Sequence, residues 1–242
     1  MTLPSSESGS SDGGDSNEIL SYHEMCGRER SSLQRGMNSF VDRSHSVVLM
    51  STRSDAKYED RLEDDGSTLI YEGHDAPRAE GEPDPKSVDQ PEANYRGTLT
   101  ENGKFHRMAQ QAKSGDGLPR IVRVYQKLLK GIWSFNGSFF LTDSWQEVID
   151  DRQVFKFRLE LMQEQVPFEV RQPDLQHTRL IPPAVKQEVF KRDRGQCVKC
   201  GSKDNLHFDH VLPFSKGGSS MVAENVQLMC LRHNLQKSDK IE

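Results

Sequence analysis

The sequence predicts an α+β chain in two parts: a mostly β N-terminal domain of barrel or sandwich type, followed by a small zinc-stabilised module. Three observations predict it. Short runs rich in β-branched and aromatic residues recur between residues 46 and 161, separated by long polar loops. Residues 166–183 hold Pro167 and Pro173 and few periodic apolar positions, the composition of a linker. Beyond them, Cys197-x2-Cys200 and Cys230-x2-His233, separated by 29 residues, have the ligand types and spacing of a closed tetrahedral zinc site.

The expected organisation is a low-complexity tail at 1–17, a first domain at 18–165, a linker at 166–183 and a second domain at 184–242. The tail is rich in Ser, Gly and Asp and offers nothing to bury against the cost of ordering. Glu18 to Arg35 mixes Ile19, Leu20, Tyr22, Met25 and Leu33 with charges, and suits one helix or a loop with a short helix. Ser46–Met50 and Ser67–Tyr71 are short strands flanking an acidic loop, Tyr58 to Gly66. Residues 72–97 carry Pro77, Pro83, Pro85 and Pro91 and form a long surface loop. Asn102–Ser114 is a helix or an irregular connection, and Ile121–Tyr125 is an alternating strand. Asn136-Gly137, between two aromatic stretches, is a strong hairpin signal. Val154–Leu161 alternates as a strand does. Pro182-Pro183 opens a helix over Ala184–Arg194, with Val185, Val189 and Phe190 on one face and Gly195 at its end.

The bulk numbers narrow the class. At 242 residues, with 33% hydrophobic and 29% charged, the chain suits one large or two modest soluble domains. No apolar run approaches the ~20 residues that span a bilayer, so no membrane partner is expected. The first 17 residues lack Lys and Arg and resemble neither a signal nor a transit peptide; the expected location is cytoplasmic. Three of the four cysteines sit at metal-ligand spacing and Cys26 stands alone, which favours a reducing compartment over disulfides. The net charge of −5 counts against nucleic-acid binding, but it is unevenly spread. Residues 55–92 hold 13 acidic and 4 basic side chains, whereas residues 184–242 hold 10 basic and 7 acidic.

Once the zinc is satisfied, Asp209, His210 and Asn234 remain: a carboxylate, an imidazole and an amide. A structural metal holding proton-accepting and metal-binding groups points to phosphodiester chemistry. An imidazole, with an ordinary pKa of about 6.5, accepts a proton from water at neutral pH, which suits His210 as general base. Oxygen ligands from Asp209 and Asn234 suit Mg²⁺ or Mn²⁺. Asp209 and His210 are neighbours on a strand expected at Leu206–Val211, so both can act at one site only if the strand twists there.

Two resemblances sharpen this reading. Cys197-x2-Cys200-Gly, Asp209-His210-Val-x-Pro213, Lys216-Gly-Gly218, Asn225-x-Gln-Leu-x-Cys230 and His233-Asn234-x2-Lys237 closely resemble the HNH, or ββα-metal, nuclease family over residues 184–240. The resemblance implies that Asn225 pins the loop carrying the general base. It leaves His233 open: as fourth ligand of a structural zinc with Cys197, Cys200 and Cys230, or on the catalytic metal, with His207 or another residue completing the zinc site. Four ligands in two close pairs favour the first.

Over residues 40–162, Ser46–Met50, Tyr58-Glu-Asp with the acidic loop, Gly66 and Tyr71, then Ile121-Val-Arg-Val, Phe135-Asn-Gly137 and Phe155–Leu159 resemble the SRA (YDG) domain. That family binds modified cytosine in DNA, and the resemblance implies an SRA-like β-barrel. A small base mark is best read in an enclosing pocket after the nucleotide is flipped out. Tyr58 and Tyr71 would supply flat faces, and an acid of the loop would meet the Watson–Crick edge. The loop is one residue longer than the family's, which leaves Asp60, Asp64 and Asp65 as alternatives and leaves 5-methylcytosine and 5-hydroxymethylcytosine both open. The combination resembles modification-dependent restriction endonucleases acting on double-stranded DNA. Since one HNH site cuts one strand, a homodimer is expected for double-strand cleavage. The other readings are an HNH nickase or homing-type nuclease whose first domain reads plain sequence, and a non-catalytic binder of modified DNA.

Overall fold

A computed structural model of the protein describes residues 17–52, 58–63, 67–78, 80–162, 180–238 and 240–241. Asp64 and Asp65, two of the three candidate acids, fall outside the described residues, as do residues 1–16 and 166–179 of the expected tail and linker.

In chain order the elements are β1 (Ile19–Ser21), α1 (Tyr22–Glu29), β2 (Met37–Asn38), β3 (His45–Met50), β4 (Arg61–Glu63), β5 (Thr68–Glu72) and α2 (Glu101–Ser114). Then come β6 (Arg120–Leu129), β7 (Ile132–Ile149), β8 (Arg152–Leu161), α3 (Pro183–Arg192), β9 (Leu206–His210), β10 (Val226–Cys230) and α4 (Leu231–Lys237). Helix α1 starts at a capping box: Ser21 Oγ accepts from the Glu24 amide, and the Glu24 carboxylate accepts from the Ser21 amide. Thr100 caps α2, which ends at Gly115 with φ 79°.

The first eight strands form one sheet in the order β2-β3-β6-β7-β8-β5-β4, with β1 pairing onto β7. Among the described residues only β3 and β6 run parallel; the other pairs are antiparallel. The expected barrel is not closed: among the described residues, β2 and β4 end the sheet and do not pair with each other. At two and three residues, these edge strands offer too few ladder positions to close a ring.

The hairpin expected at Asn136-Gly137 is a β-bulge inside the 18-residue strand β7. Val124 faces Gly137 and Tyr125 faces Phe135, so Asn136 is the extra residue, and Gly137 takes φ 102°. The β6–β7 chain reversal comes instead at Lys130-Gly131, where Gly131 has φ 78°. Strands β7 and β8 turn at Asp150-Asp151, both at positive φ (50° and 61°), the twist that suits a two-residue hairpin.

Helix α2 packs Phe105, Met108 and Ala109 onto the sheet, against Val122, Val124, Phe139, Leu141, Phe155 and Phe157. Each large side chain so buried contributes about 1.5–3 kcal/mol. The C-terminal module buries Val185, Val189, Phe208, Val226 and Leu228 in a second cluster that also includes Leu128, with Ile19 and Ile132 packed against it. Its core is therefore shared with the sheet domain.

Candidate functional site

The two cysteine-containing pairs meet because Cys197 and Cys200 follow α3, while Cys230 ends β10 and His233 lies in α4. The ligand atoms of Cys197, Cys200, Cys230 and His233 all lie within 4.8 Å of one another. His233 Nδ1 is 3.4 Å from both Cys197 Sγ and Cys230 Sγ, and Cys200 Sγ is 3.9 Å from Cys230 Sγ. Metal–ligand bonds of about 2.0–2.3 Å in a tetrahedron put neighbouring ligands about 3.5–3.8 Å apart, so the donor set fits zinc. Burial opposes the Cys197 thiolate, but backbone N–H groups at Cys230, Lys199 and Cys200 and the His233 ring outweigh it, lowering its pKa to about 6. At Cys200, a backbone donor at Ser202 favours the thiolate, yet burial and the Cys197 and Cys230 sulfurs push the thiol up. Crowding of sulfurs of this kind is relieved by a bound cation. The cluster takes His233 and does not include His207, which lies buried on β9.

Strands β9 and β10 pair in antiparallel register, His210 opposite Val226 and Asp209 opposite Gln227. His210 is buried, and its Nε2 lies 2.8 Å from Ser220 Oγ. Its ring centroid is 6.0 Å from that of Phe214. Asp209 Oδ2 receives Gln227 Nε2 at 3.3 Å and pairs with Lys237 Nζ at 2.9 Å. Lys237, 1% exposed, also donates to the His210 carbonyl oxygen at 2.6 Å. The side chains of Asp209 and His210 thus have different partners, and Lys237 holds both residues.

Asn225 closes the loop after β9. Its Oδ1 accepts from the Leu212 amide at 2.8 Å, and its Nδ2 donates to Leu212 O at 3.2 Å and to Ser219 O at 2.9 Å. This ties the chain just after His210 to the segment bearing Ser220. Gly218 must be glycine here, because a Cβ would sit 1.8 Å from Leu212 O and 2.8 Å from Asn225 Nδ2. Arg192, at the end of α3, donates to the carbonyls of Ala223 and Val226 at 2.7 Å and so fixes the start of β10. Asn234 is half-buried on α4, three residues before Lys237 and hence on the same helix face.

Asp209 and Asn234 carry hard oxygen donors of the kind that suit Mg²⁺ or Mn²⁺. Both Asp209 contacts fall on Oδ2.

Around the acidic loop, Tyr58 stacks on His74 with centroids 5.3 Å apart and planes at 18°. Lys86 Nζ lies 4.7 Å from the Tyr58 ring centroid. Tyr71 is a core residue, its hydroxyl 3.2 Å from His74 Nε2. Burial raises its pKa well above the ordinary phenol value. His74, and not Tyr71, therefore covers the Tyr58 face. Asp60 accepts the Ser51 and Glu72 amides at 3.1 and 3.2 Å. Burial, despite those two donors and aided by the Glu72 carboxylate, raises the Asp60 pKa to about 7. Beneath lies a buried ionic network: Lys156–Glu72 at 3.1 Å and Arg152–Asp75 at 2.8 Å.

Sequence reasoning missed Ser220, Gln227 and His74. Only Gln227 carried a local signal, through its place in the Asn-x-Gln motif. Ser220 lies in a Gly-Gly-Ser-Ser run and His74 in a loop, and their roles come from contacts across the fold.

Residues 197–240 match the family model described as HNH endonuclease. No curated protein matches the chain. Among solved structures, the SRA domain of SUVH5 in complex with fully methylated CG DNA is similar at TM-score 0.43 and 20% identity, over 62% of this chain and 90% of that one. The modification-dependent restriction endonuclease TagI is similar at TM-score 0.39 and 17% identity, over 91% and 76%. AspBHI, a DNA modification-dependent restriction endonuclease, gives 0.37 and 16%, over 54% and 63%. The C-terminal module, residues 197–240, is an HNH endonuclease domain.

Proposed function

We propose that this chain is a modification-dependent restriction endonuclease, which reads modified cytosine in double-stranded DNA with its sheet domain and cuts with its HNH domain. The reading rests above all on the junction at β9: His210, Asp209 and the Asn225 clamp in a matched endonuclease domain, packed onto a sheet domain with SRA-like motifs.

In this mechanism the Ser220 contact orients the His210 ring. With its ring so held, the His210 imidazole would take the proton from the attacking water. Asn225 holds the following loop rigid so that the ring does not drift from this position. Lys237 fixes the Asp209 carboxylate. A divalent cation held by Asp209 and Asn234 would supply charge stabilisation at the scissile phosphate. In the sheet domain, Tyr58 would supply a stacking face for a flipped base, with an acid of the loop, Asp60 among the candidates, at its edge, while Tyr71 lies in the core and reaches this region only through His74. Cleavage of both strands requires two such sites, supplied by a homodimer.

The test is digestion of one plasmid in unmodified, 5-methylcytosine and 5-hydroxymethylcytosine forms, with Mg²⁺ or Mn²⁺, beside His210→Ala and Tyr58→Ala. The reading requires that only marked DNA is cut. His210→Ala should bind without cutting, and Tyr58→Ala should lose the preference for the mark. Equal cutting of all three forms would remove the modified-base reader and leave a plain nuclease.

A further inference from the structure

The bulge at Asn136-Gly137 has no part in the mechanism above, yet three buried polar side chains converge on it from both domains. Lys186, on α3 of the HNH-bearing module, is fully buried. Its Nζ donates to Asn136 Oδ1 at 2.8 Å and to Ser134 Oγ at 3.1 Å, both on β7 of the sheet domain. Asn136 in turn donates to Gln126 Oε1 at 3.3 Å, and Gln126 donates to the Pro183 carbonyl at 3.1 Å, back on α3. The same Lys186 ammonium lies 5.7 Å from the centroid of the Phe208 ring, close enough for a cation–π contact. Phe208 precedes Asp209 on β9.

The backbone makes a second connection at the same place. Ile19 pairs with Ser134, joining β1 to β7. One residue earlier, Glu18 bridges His207, and the Phe208 amide donates to Asn17 O at 3.0 Å. The strand carrying Asp209 and His210 is therefore hydrogen-bonded to β10 on one side and to the N-terminal segment of the sheet domain on the other. A buried ammonium is costly unless its donors are satisfied, so this arrangement selects one docked orientation and penalises partial undocking.

We infer that Lys186 and Asn136 are positioning residues that clamp the catalytic strand to the sheet domain, so that the docked interface sets the distance from mark to cut. The length of segment 163–179 would then be irrelevant to that distance. The inference rests on the modified-base reading for its cleavage readout but not for its structural one.

The experiment uses the full chain and a duplex with a single modified cytosine in the form that the enzyme cuts, with cut ends mapped by sequencing. Three variants are compared with the parent: K186M, six Gly/Ser residues inserted between residues 170 and 171, and both together. Exchange of the Phe208 amide is followed in each, and zinc content with far-UV circular dichroism reports folding. The expected result is an unchanged cut position for the insertion alone, a spread of positions for K186M, and a wider spread for the two combined. Phe208 exchange should accelerate roughly tenfold or more in K186M, because local opening no longer breaks the clamp. A shifted cut position in the insertion variant overturns the inference, since the tether would then set the distance. Unchanged exchange in folded K186M overturns it as well. Should K186M fail to fold, the insertion variant alone decides. If marked and unmarked DNA are cut alike, the modified-base reading falls, and Phe208 exchange still judges the clamp.

Discussion

Lys237 Nζ lies 2.9 Å from Asp209 Oδ2, a buried ion pair between the last turn of α4 and the strand that carries Asp209 and His210. Removing the ammonium leaves a carboxylate only 15% exposed without its main partner. We predict that Lys237→Met costs on the order of 2–4 kcal/mol in urea unfolding and sharply lowers cleavage. Adding Asp209→Asn should restore much of the stability and none of the cleavage, which separates the structural from the chemical loss.

Ser220 should act through His210. Ser220→Ala removes the contact that orients the ring, and cleavage should fall by about tenfold, well short of the 10²–10⁴ expected for His210→Ala. Single-turnover rates measure both. A Ser220→Ala enzyme as inactive as His210→Ala would assign the serine a direct chemical role.

Gly218→Ala sets a methyl against Leu212 O and Asn225 Nδ2. The predicted cost is about 1–3 kcal/mol, with cleavage lost in proportion to the disturbance of the Asn225 clamp. Thermal unfolding and the cleavage rate of the same preparation are the measurements. A variant of full stability and activity would show that the loop yields easily.

Zinc retention should depend on pH. Protons compete with a metal for the sulfurs of Cys197, Cys200 and Cys230. Zinc affinity should therefore weaken as the pH falls, tracked by competition with a colorimetric chelator. Stripping the metal at pH 8 should unfold the C-terminal module first, and Cys230→Ser should do the same at lower chelator concentration.

Asp60 imposes the opposite dependence. Its pKa rises from an ordinary carboxyl value to about 7 on folding, so the folded chain binds more protons than the unfolded chain between about pH 4 and 7. Its contribution is fully present at low pH and is lost as the pH rises through 7. Asp60→Ala should flatten the decline of stability across this window, whatever its own absolute stability. A pH–stability curve parallel to the parent's would show that Asp60 ionises normally.

The sequence by itself determined the features that depend on local pattern. Ligand type and spacing brought out the Cys197, Cys200, Cys230 and His233 set, and their convergence needs only two short pairs and one returning strand. Short runs of β-branched and aromatic residues placed β3, β5, β6 and β8 within a few residues of their positions. Tertiary structure decided the rest. Asn136-Gly137 has the composition of a hairpin turn, but pairing with β6 on one side and β8 on the other extends the chain through it, and the extra residue becomes a bulge. The edge strands stop short of closing a barrel. Tyr71 and Tyr58 look alike as neighbours of an acidic loop, yet one is core and the other stacks on His74. Lys186 and Lys237 look like surface lysines in sequence, and each is buried by partners 50 and 28 residues away. The burial of a charge is a property of its distant neighbours, which no local pattern encodes.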